Sequence, residues 1–159
     1  ENNGSRLLDN IKIYIKSILL PVIVGAVVGF LTSPSADYIN LQKPFLAPQG
    51  ILFPIVWTIL YVLMGVSYGI LKSKNLTNNK INSIYYFQLA VNALWSFFFF
   101  SFEWRLFAFL WIIFLDVLVV IMIIRFYNKN KLAGLLQIPY LLWIVFATYL
   151  NWSFFVLNR

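Results

Sequence analysis

The amino-acid sequence predicts an all-α integral membrane protein, a bundle of five transmembrane helices that forms a single membrane domain over residues 1–159. The composition is the first observation: 62% of the residues are hydrophobic and 11% are charged, whereas about 25% of an average soluble domain is charged. The second is the length of the apolar runs, because a helix needs about 20 apolar residues to cross the hydrocarbon core. Five runs are long enough, at residues 11–31, 51–71, 84–102, 106–127 and 135–157.

The connections between the runs support these boundaries. Lys12 and Lys16 lie in the first turns of the first run, where long side chains can reach the headgroups. The longest connection, residues 32–50, contains three prolines and is predicted to be a lid loop. Pro54 falls in the first turn of the second run, where a missing N–H costs little.

The last three runs are joined by shorter connections. A polar loop with three lysines, residues 72–82, precedes the third run. Residues 103–105 lead into the fourth run, and residues 128–134 turn the chain into the fifth, which contains Pro139.

Basic residues are unequally divided between the two sides of the predicted bundle. The side that holds the N-terminus and the second and fourth loops carries nine Lys and Arg residues, and the other side carries three. The positive-inside rule therefore predicts a cytoplasmic N-terminus, an external C-terminus and an external lid loop, in a bacterial or archaeal plasma membrane. Because this distribution explains the net charge of +7, no nucleic-acid partner is expected.

Residue types that support common catalytic and metal sites are missing from the sequence. It contains no cysteine and no histidine, which excludes disulfides, Cys or His nucleophiles and the usual zinc and haem ligands. Its five acidic residues are scattered along the chain, so no carboxylate pair for hydrolysis is expected. The sequence predicts no metal and no required cofactor.

Polar, small and aromatic residues form stripes on three of the predicted helices. Helical spacing places the members of each stripe on one face, and an amide at the middle of a membrane must find a partner inside the bundle. The stripes are therefore predicted to face one another, either to line a ligand pocket or only to hold the helices together. They comprise Trp57, Tyr61, Gly65 and Tyr68 in the second run, Gln88, Asn92, Trp95, Ser96 and Phe99 in the third, and Trp143, Ala147, Leu150 and Asn151 in the fifth.

Three further features receive separate predictions. Gly25 and Gly29 form a GxxxG pair, which is typical of a face that contacts another helix. Trp104 and Trp152 lie near helix ends and are expected at the membrane interface. Asp116 is either a functional acid that faces the interior, with Asn92 or Gln88 as possible partners, or one tolerated acid in a very hydrophobic helix.

Several motifs resemble the TspO/MBR family, also called translocator proteins or tryptophan-rich sensory proteins. The resemblance covers residues 25–158 and is most specific in the third and fifth helices. The motifs are Tyr38-x-x-Leu41-x-Lys43-Pro44, Val56-Trp57-x-x-Leu60-Tyr61, Gln88-x-x-x-Asn92-x-x-Trp95-Ser96 and Pro139-Tyr140-x-x-Trp143-x-x-x-Ala147-x-x-Leu150-Asn151.

The resemblance implies a five-helix bundle, often a homodimer, that binds porphyrins such as protoporphyrin IX and related planar hydrophobic ligands. The pocket would lie inside the bundle beneath the first loop. By position, its residues would be Tyr38, Pro44, Leu46, Phe53, Trp57, Asn92, Trp95, Trp143, Ala147 and Leu150.

One departure from the family pattern bears on activity. The family often has a tryptophan two residues after the proline of the Lys-Pro pair, and Leu46 occupies that position here. Some members are reported to degrade protoporphyrin in light with a pocket tryptophan pair, of which only Trp143 is present. The resemblance therefore favours a binding or sensory protein. The alternatives are a carrier for porphyrin or another amphiphile, a light-dependent degrading enzyme, and a packing subunit with a dry, filled interior.

Overall fold

The computed structural model describes residues 3–32 and 41–159, which form an all-helical bundle. Five of its helical segments are long and apolar enough to cross a membrane, as the sequence predicts. The elements are α1 (Asn3–Leu31), α2 (Leu52–Ser73), α3 (Asn79–Ser96) with a π-helix at its end (Phe97–Ser101), α4 (Arg105–Lys129), the short α5 (Lys131–Leu135) and α6 (Ile138–Leu157).

Helix ends differ most from prediction where polar residues continue or cap a helix. Helices α1 and α3 begin before the predicted residues 11 and 84. A count of apolar residues locates only the part of a helix that crosses the hydrocarbon, and it misses the polar turns that extend the helix beyond it. Asn78 caps α3 by accepting a hydrogen bond from the backbone N–H of Ile81 at 2.9 Å. Asn130 caps α5 in the same way, by accepting a hydrogen bond from the backbone N–H of Ala133 at 3.1 Å. The fifth span therefore starts with the short helix α5 and continues as α6.

Helix α1 lies at the periphery of the bundle and packs mainly against α2. Helix α4 packs against both α3 and α6, and α5 contacts α4 and α2. The backbones of α2 and α3 come close to each other at no more than one or two positions. Large side chains fill the space between them, as in the stacked rings of Tyr68 and Tyr85, whose centroids are 4.4 Å apart.

The closest approach between α1 and α2 depends on two glycines of α2. A Cβ at Gly65 would lie 2.6 Å from the carbonyl oxygen of Ser17, and a Cβ at Gly69 would lie 2.7 Å from the ring of Tyr14. These glycines are four residues apart and therefore form the GxxxG face at this contact.

The prediction that the glycine pair of α1 contacts another helix is correct for only one of the two glycines. Gly25 packs on the ring of Tyr61, but a Cβ at Gly29 would meet no atom of residues 3–32 and 41–159 within 4 Å. Small residues permit close packing only where a neighbouring helix is present, and no helix of the described chain lies beside Gly29.

We predict that Gly65→Ala destabilises the protein and that Gly29→Ala does not. Because alanine favours a helix more than glycine does, both changes should stabilise their helices by about 1 kcal/mol. Only the methyl group at position 65, however, must push α1 and α2 apart. Such overpacking costs about 1–3 kcal/mol of folding free energy. The thermal unfolding midpoint in detergent, followed by circular dichroism, is expected to fall for Gly65→Ala alone. Equal midpoints for the two variants would show that the contact is not tight.

Candidate functional site

The predicted stripes of α2, α3 and α6 face the interior and meet there. Asn92 is the centre of this meeting point: its Oδ1 accepts a hydrogen bond from Tyr61 Oη at 2.8 Å, and its Nδ2 donates to Tyr140 Oη at 2.7 Å. Tyr140 Oη donates in turn to Gln88 Oε1 at 2.8 Å. This buried chain links α2, α3 and α6, and it gives both the oxygen and the nitrogen of the Asn92 side-chain amide a partner.

A second amide fixes an indole of the same stripe. Trp95 Nε1 donates to Asn151 Oδ1 at 2.9 Å, and Asn151 Nδ2 donates to the carbonyl oxygen of Arg105 at 2.8 Å. Asn151 and Trp95 are both buried. Trp95 is therefore held in one orientation, with its ring stacked on Phe99 at a centroid distance of 5.3 Å.

Aromatic rings of α2 and α6 cover one side of the polar chain. Trp57 stacks on Tyr61 at 5.5 Å and meets Trp143 edge to face at 6.4 Å. Phe53 meets Trp143 at 6.0 Å, also edge to face. Edge-to-face and offset contacts at these separations are favourable for aromatic rings. Trp95 does not stack on these rings but lines the same small cavity as Phe53. The aromatic cluster is defined here as Phe53, Trp57, Tyr61, Tyr140 and Trp143, which contact one another, together with Trp95.

Trp143 differs from Trp95 in its hydrogen bonding. Its Nε1 atom is buried and has no hydrogen-bond partner in the described part of the chain. A buried donor without a partner costs free energy, and Trp143 can turn without breaking a hydrogen bond through that atom. Unlike the indole N–H of Trp95, that of Trp143 is therefore available to an acceptor from a ligand.

The interior is more completely filled than the sequence predicts. The cavity beside the aromatic cluster has a volume of about 20 Å³, enough for a single water molecule, rather than the open hollow expected for a planar ligand. Large rings occupy the space instead. The cavity is lined by Phe53, Trp95, Phe99, Phe100, Ala147, Leu150, Asn151 and Phe154.

The described part of the first loop is attached to the C-terminal half of α6. The backbone N–H of Gln42 donates to Asn158 Oδ1 at 2.9 Å, and Asn158 Nδ2 donates to the carbonyl oxygen of Gln42 at 3.0 Å. Tyr149 Oη donates to the carbonyl oxygen of Phe45 at 2.8 Å. The loop thus lies at the end of the bundle where α2 begins and α6 ends.

The predicted loop residues of the pocket have different locations. Pro44 is buried. Leu46 is 64% exposed and lies outside the aromatic cluster, contrary to expectation, because the loop takes a left-handed turn there with φ of 70°. Tyr38 lies outside the described residues. The other predicted site residues, from Phe53 onward, lie in the aromatic cluster, bond to it or line its cavity.

Two residues of the site were not predicted, although their spacing could have revealed them. Tyr140 lies three residues before Trp143 on the same face of α6, and Gln88 lies four residues before Asn92 on α3. The sequence predicts Gln88 on the inward stripe of α3 and does not identify it as a site residue. Both belong to the buried polar chain.

Asp116 has a different partner from those expected. Its Oδ2 accepts a hydrogen bond from Thr148 Oγ1 at 2.8 Å, whereas Asn92 and Gln88 bond to tyrosines. Trp104 and Trp152 are exposed and lie near helix ends; their location at the membrane interface stays a prediction. Within residues 3–32 and 41–159, no cluster of three or more His, Cys, Asp or Glu side chains could hold a metal ion.

Comparisons with known proteins match almost the whole bundle. The model of the TspO/MBR family matches residues 17–157. A tryptophan-rich protein TspO of Archaeoglobus fulgidus is 36% identical over 152 residues, which is 94% of this chain and 99% of the relative. A protein of the same name from Chlorobaculum tepidum is 36% identical over 76% of this chain and 78% of its own. A tryptophan-rich sensory protein of Cereibacter sphaeroides is 34% identical over 84% of both chains.

We predict that Tyr140→Phe lowers stability, since removal of the hydroxyl leaves Asn92 Nδ2 and Gln88 Oε1 without the partner that joins them. Interhelical hydrogen bonds in membranes contribute about 0.6–2 kcal/mol, so a loss of about 1 kcal/mol is expected. Tyr127→Phe is the matched control, because Tyr127 is 41% exposed on α4. The unfolding midpoint in detergent should fall only for Tyr140→Phe; no difference between the variants would mean that the buried chain does not stabilise the bundle.

Proposed function

The chain belongs to the TspO/MBR family, and on that premise we propose that it is a membrane-embedded binding and sensory protein for a porphyrin of the protoporphyrin IX type. The ligand lies against the aromatic cluster between α2, α3 and α6, beneath the first loop. The observation that carries the proposal is the buried indole N–H of Trp143, which has no partner in the described part of the chain and lies among rings suited to stacking on a planar ligand.

The walls of the site divide into a fixed part and a part that can move. Trp95 is fixed by Asn151, and Tyr61 and Tyr140 are fixed through Asn92. Trp143 is half-buried, and its indole nitrogen makes no hydrogen bond that must be broken. Because the cavity holds only about 20 Å³, a porphyrin enters by displacing Trp143 and neighbouring rings, while the polar chain keeps the helices in place.

The side chains around the space that opens when these rings move suit a metal-free porphyrin. Rings on both sides favour a flat, polarisable ligand through offset stacking, and the N–H of Trp143 supplies a hydrogen-bond donor for a carboxylate or carbonyl oxygen. The sequence contains no His and no Cys, which are the common axial ligands of haem iron. Protoporphyrin is therefore a better candidate than haem.

Orientation and assembly form part of the same proposal. The excess of basic residues on one side favours a cytoplasmic N-terminus and an external lid in a bacterial or archaeal plasma membrane. Helix α1 packs on α2 and leaves much of its apolar surface exposed, which is compatible with lipid or with a homodimer.

Transport is the weaker alternative for this site. A carrier must open the interior toward both membrane faces, and broken helices commonly provide such openings. Here Met64, Tyr85 and Gln88 close the interior toward the basic end and have almost no exposed surface. Light-dependent degradation also lacks support, because Leu46 occupies the position of the expected second indole and lies at the surface.

We predict that Trp143→Ala weakens protoporphyrin IX binding about tenfold, which is the effect of losing one good aromatic contact. Trp143→Phe keeps a ring and removes the N–H, so its affinity should lie between those of the native protein and Trp143→Ala. Trp152→Ala is the control, because Trp152 is on the same helix and 45% exposed. The shift of the porphyrin Soret band during titration in detergent measures all four proteins without depending on tryptophan fluorescence.

Three outcomes would contradict the proposal in different ways. Native affinity in Trp143→Ala would place the ligand elsewhere. Protein-dependent bleaching of illuminated protoporphyrin would indicate an enzyme. Protein-dependent entry of porphyrin into proteoliposomes would indicate a carrier.

A further inference from the structure

A second groove, wider than the cavity beside the aromatic cluster, lies on the outer wall of the bundle. It has a volume of about 270 Å³, several times the roughly 30 Å³ that one water molecule occupies in the liquid. Three helices form it: α1 contributes Ile13, Lys16, Ser17 and Leu20, α2 contributes Tyr68 and Lys72, and α3 contributes Tyr85 and Tyr86.

The polar lining of this groove consists of cations and hydroxyl groups. Lys16 and Lys72 enter it from two different helices, and none of the described residues that line it is acidic. Tyr85 is fully buried in the wall, and its Oη has no hydrogen-bond partner in the described part of the chain. Tyr68 Oη already donates to Asn82 Oδ1 at 2.7 Å, so Tyr85 supplies the unpartnered hydroxyl. Two lysine charges beside such a hydroxyl are the chemistry that recognises a phosphate group.

The position of the two lysines matches the boundary of the membrane. Residues 17–31 of α1 and residues 52–71 of α2 are free of charged side chains, so Lys16 and Lys72 mark the ends of the stretches that cross the hydrocarbon. Helices α1 and α2 are antiparallel neighbours, with Gly65 against Ser17, and this pairing brings both lysines to the same end of the bundle. The groove therefore lies at headgroup depth.

The apolar lining of the groove extends toward the hydrocarbon at Leu20. This residue lies one helical turn beyond Lys16 and is 40% exposed, whereas Ile13 lines the groove on the N-terminal side of Lys16. An acyl chain can follow this apolar side of α1. The ring stack of Tyr68 and Tyr85 forms the floor, with nearly parallel rings at an interplanar angle of 9°.

We propose that this groove is a binding site for the phosphate headgroup of an anionic membrane lipid, such as a phosphatidylglycerol. Lys16 and Lys72 pair with the phosphate, the tyrosine wall flanks it, and one acyl chain lies along α1. The site is separate from the aromatic cluster and does not depend on porphyrin binding.

The test compares lipid retention by the full chain in detergent micelles, measured by native mass spectrometry. Dioleoyl phosphatidylglycerol and dioleoyl phosphatidylcholine are added separately, and soluble glycerol phosphate is added as a third ligand. The native protein is expected to retain phosphatidylglycerol at least tenfold better than either of the others. Loss of two lysines at a membrane surface should remove most of this preference. The double variant Lys16→Gln/Lys72→Gln is therefore expected to retain phosphatidylglycerol and phosphatidylcholine about equally.

The matched control is Lys74→Gln/Lys129→Gln, which removes the same charge from exposed lysines outside the groove. This variant should keep the native preference. Circular dichroism confirms folding of each variant, and the protoporphyrin titration should be unchanged in all of them, which separates this site from the aromatic cluster.

Several results would overturn the proposal. Equal loss in the two double variants would show a general effect of net charge. Equal retention of phosphatidylcholine would show that the headgroup charge is not recognised, and equal binding of glycerol phosphate would indicate a site for a free anion. Dimer loss in Lys16→Gln/Lys72→Gln without a change in lipid retention would assign the groove to a second copy of the chain.

Discussion

The amide of Asn92 imposes the constraint on which the rest of the bundle depends. A side-chain amide in the hydrocarbon region must have its donors and acceptor satisfied by protein, since no water is available there. Tyr61 from α2 and Tyr140 from α6 satisfy it, and their long rings hold those helices at a distance from α3. The backbones of α2 and α3 consequently hardly approach each other, and the interior is built from aromatic side chains.

The sequence was sufficient to predict the five spans and the faces that point inward. Both predictions depend on local rules: the length of an apolar run and the spacing of polar residues along a helix. Asn92, Trp95 and Asn151 were placed correctly inside because an amide or an indole N–H cannot face lipid without cost. The same rules identified the exposed tryptophans, Trp104 and Trp152, from their positions near helix ends.

Features that depend on which helices are neighbours could not be predicted in this way. The GxxxG pattern occurs in both α1 and α2, and only packing shows that Gly65 makes the close contact, whereas Gly29 has no neighbour among the residues that the structure describes. A stripe of inward-facing residues also does not show how completely the interior of the bundle is filled. The same rings can line an open pocket, or they can pack against one another, as Trp57 and Trp143 do here. Leu46 was misplaced because sequence spacing does not reveal a left-handed turn in a loop.

The wide spacing of α2 and α3 accounts for both proposed sites. Near the loop end, Trp57, Tyr61 and Trp95 fill the gap almost completely, so a ligand must displace rings to enter. Near the basic end, the stack of Tyr68 on Tyr85 fills only part of the gap, and α1 completes one wall of an open groove. Closely packed helices would leave no room at either end. The buried amide that separates the helices thus lies between the proposed site for a planar ligand at one end and the proposed site for a phosphate at the other.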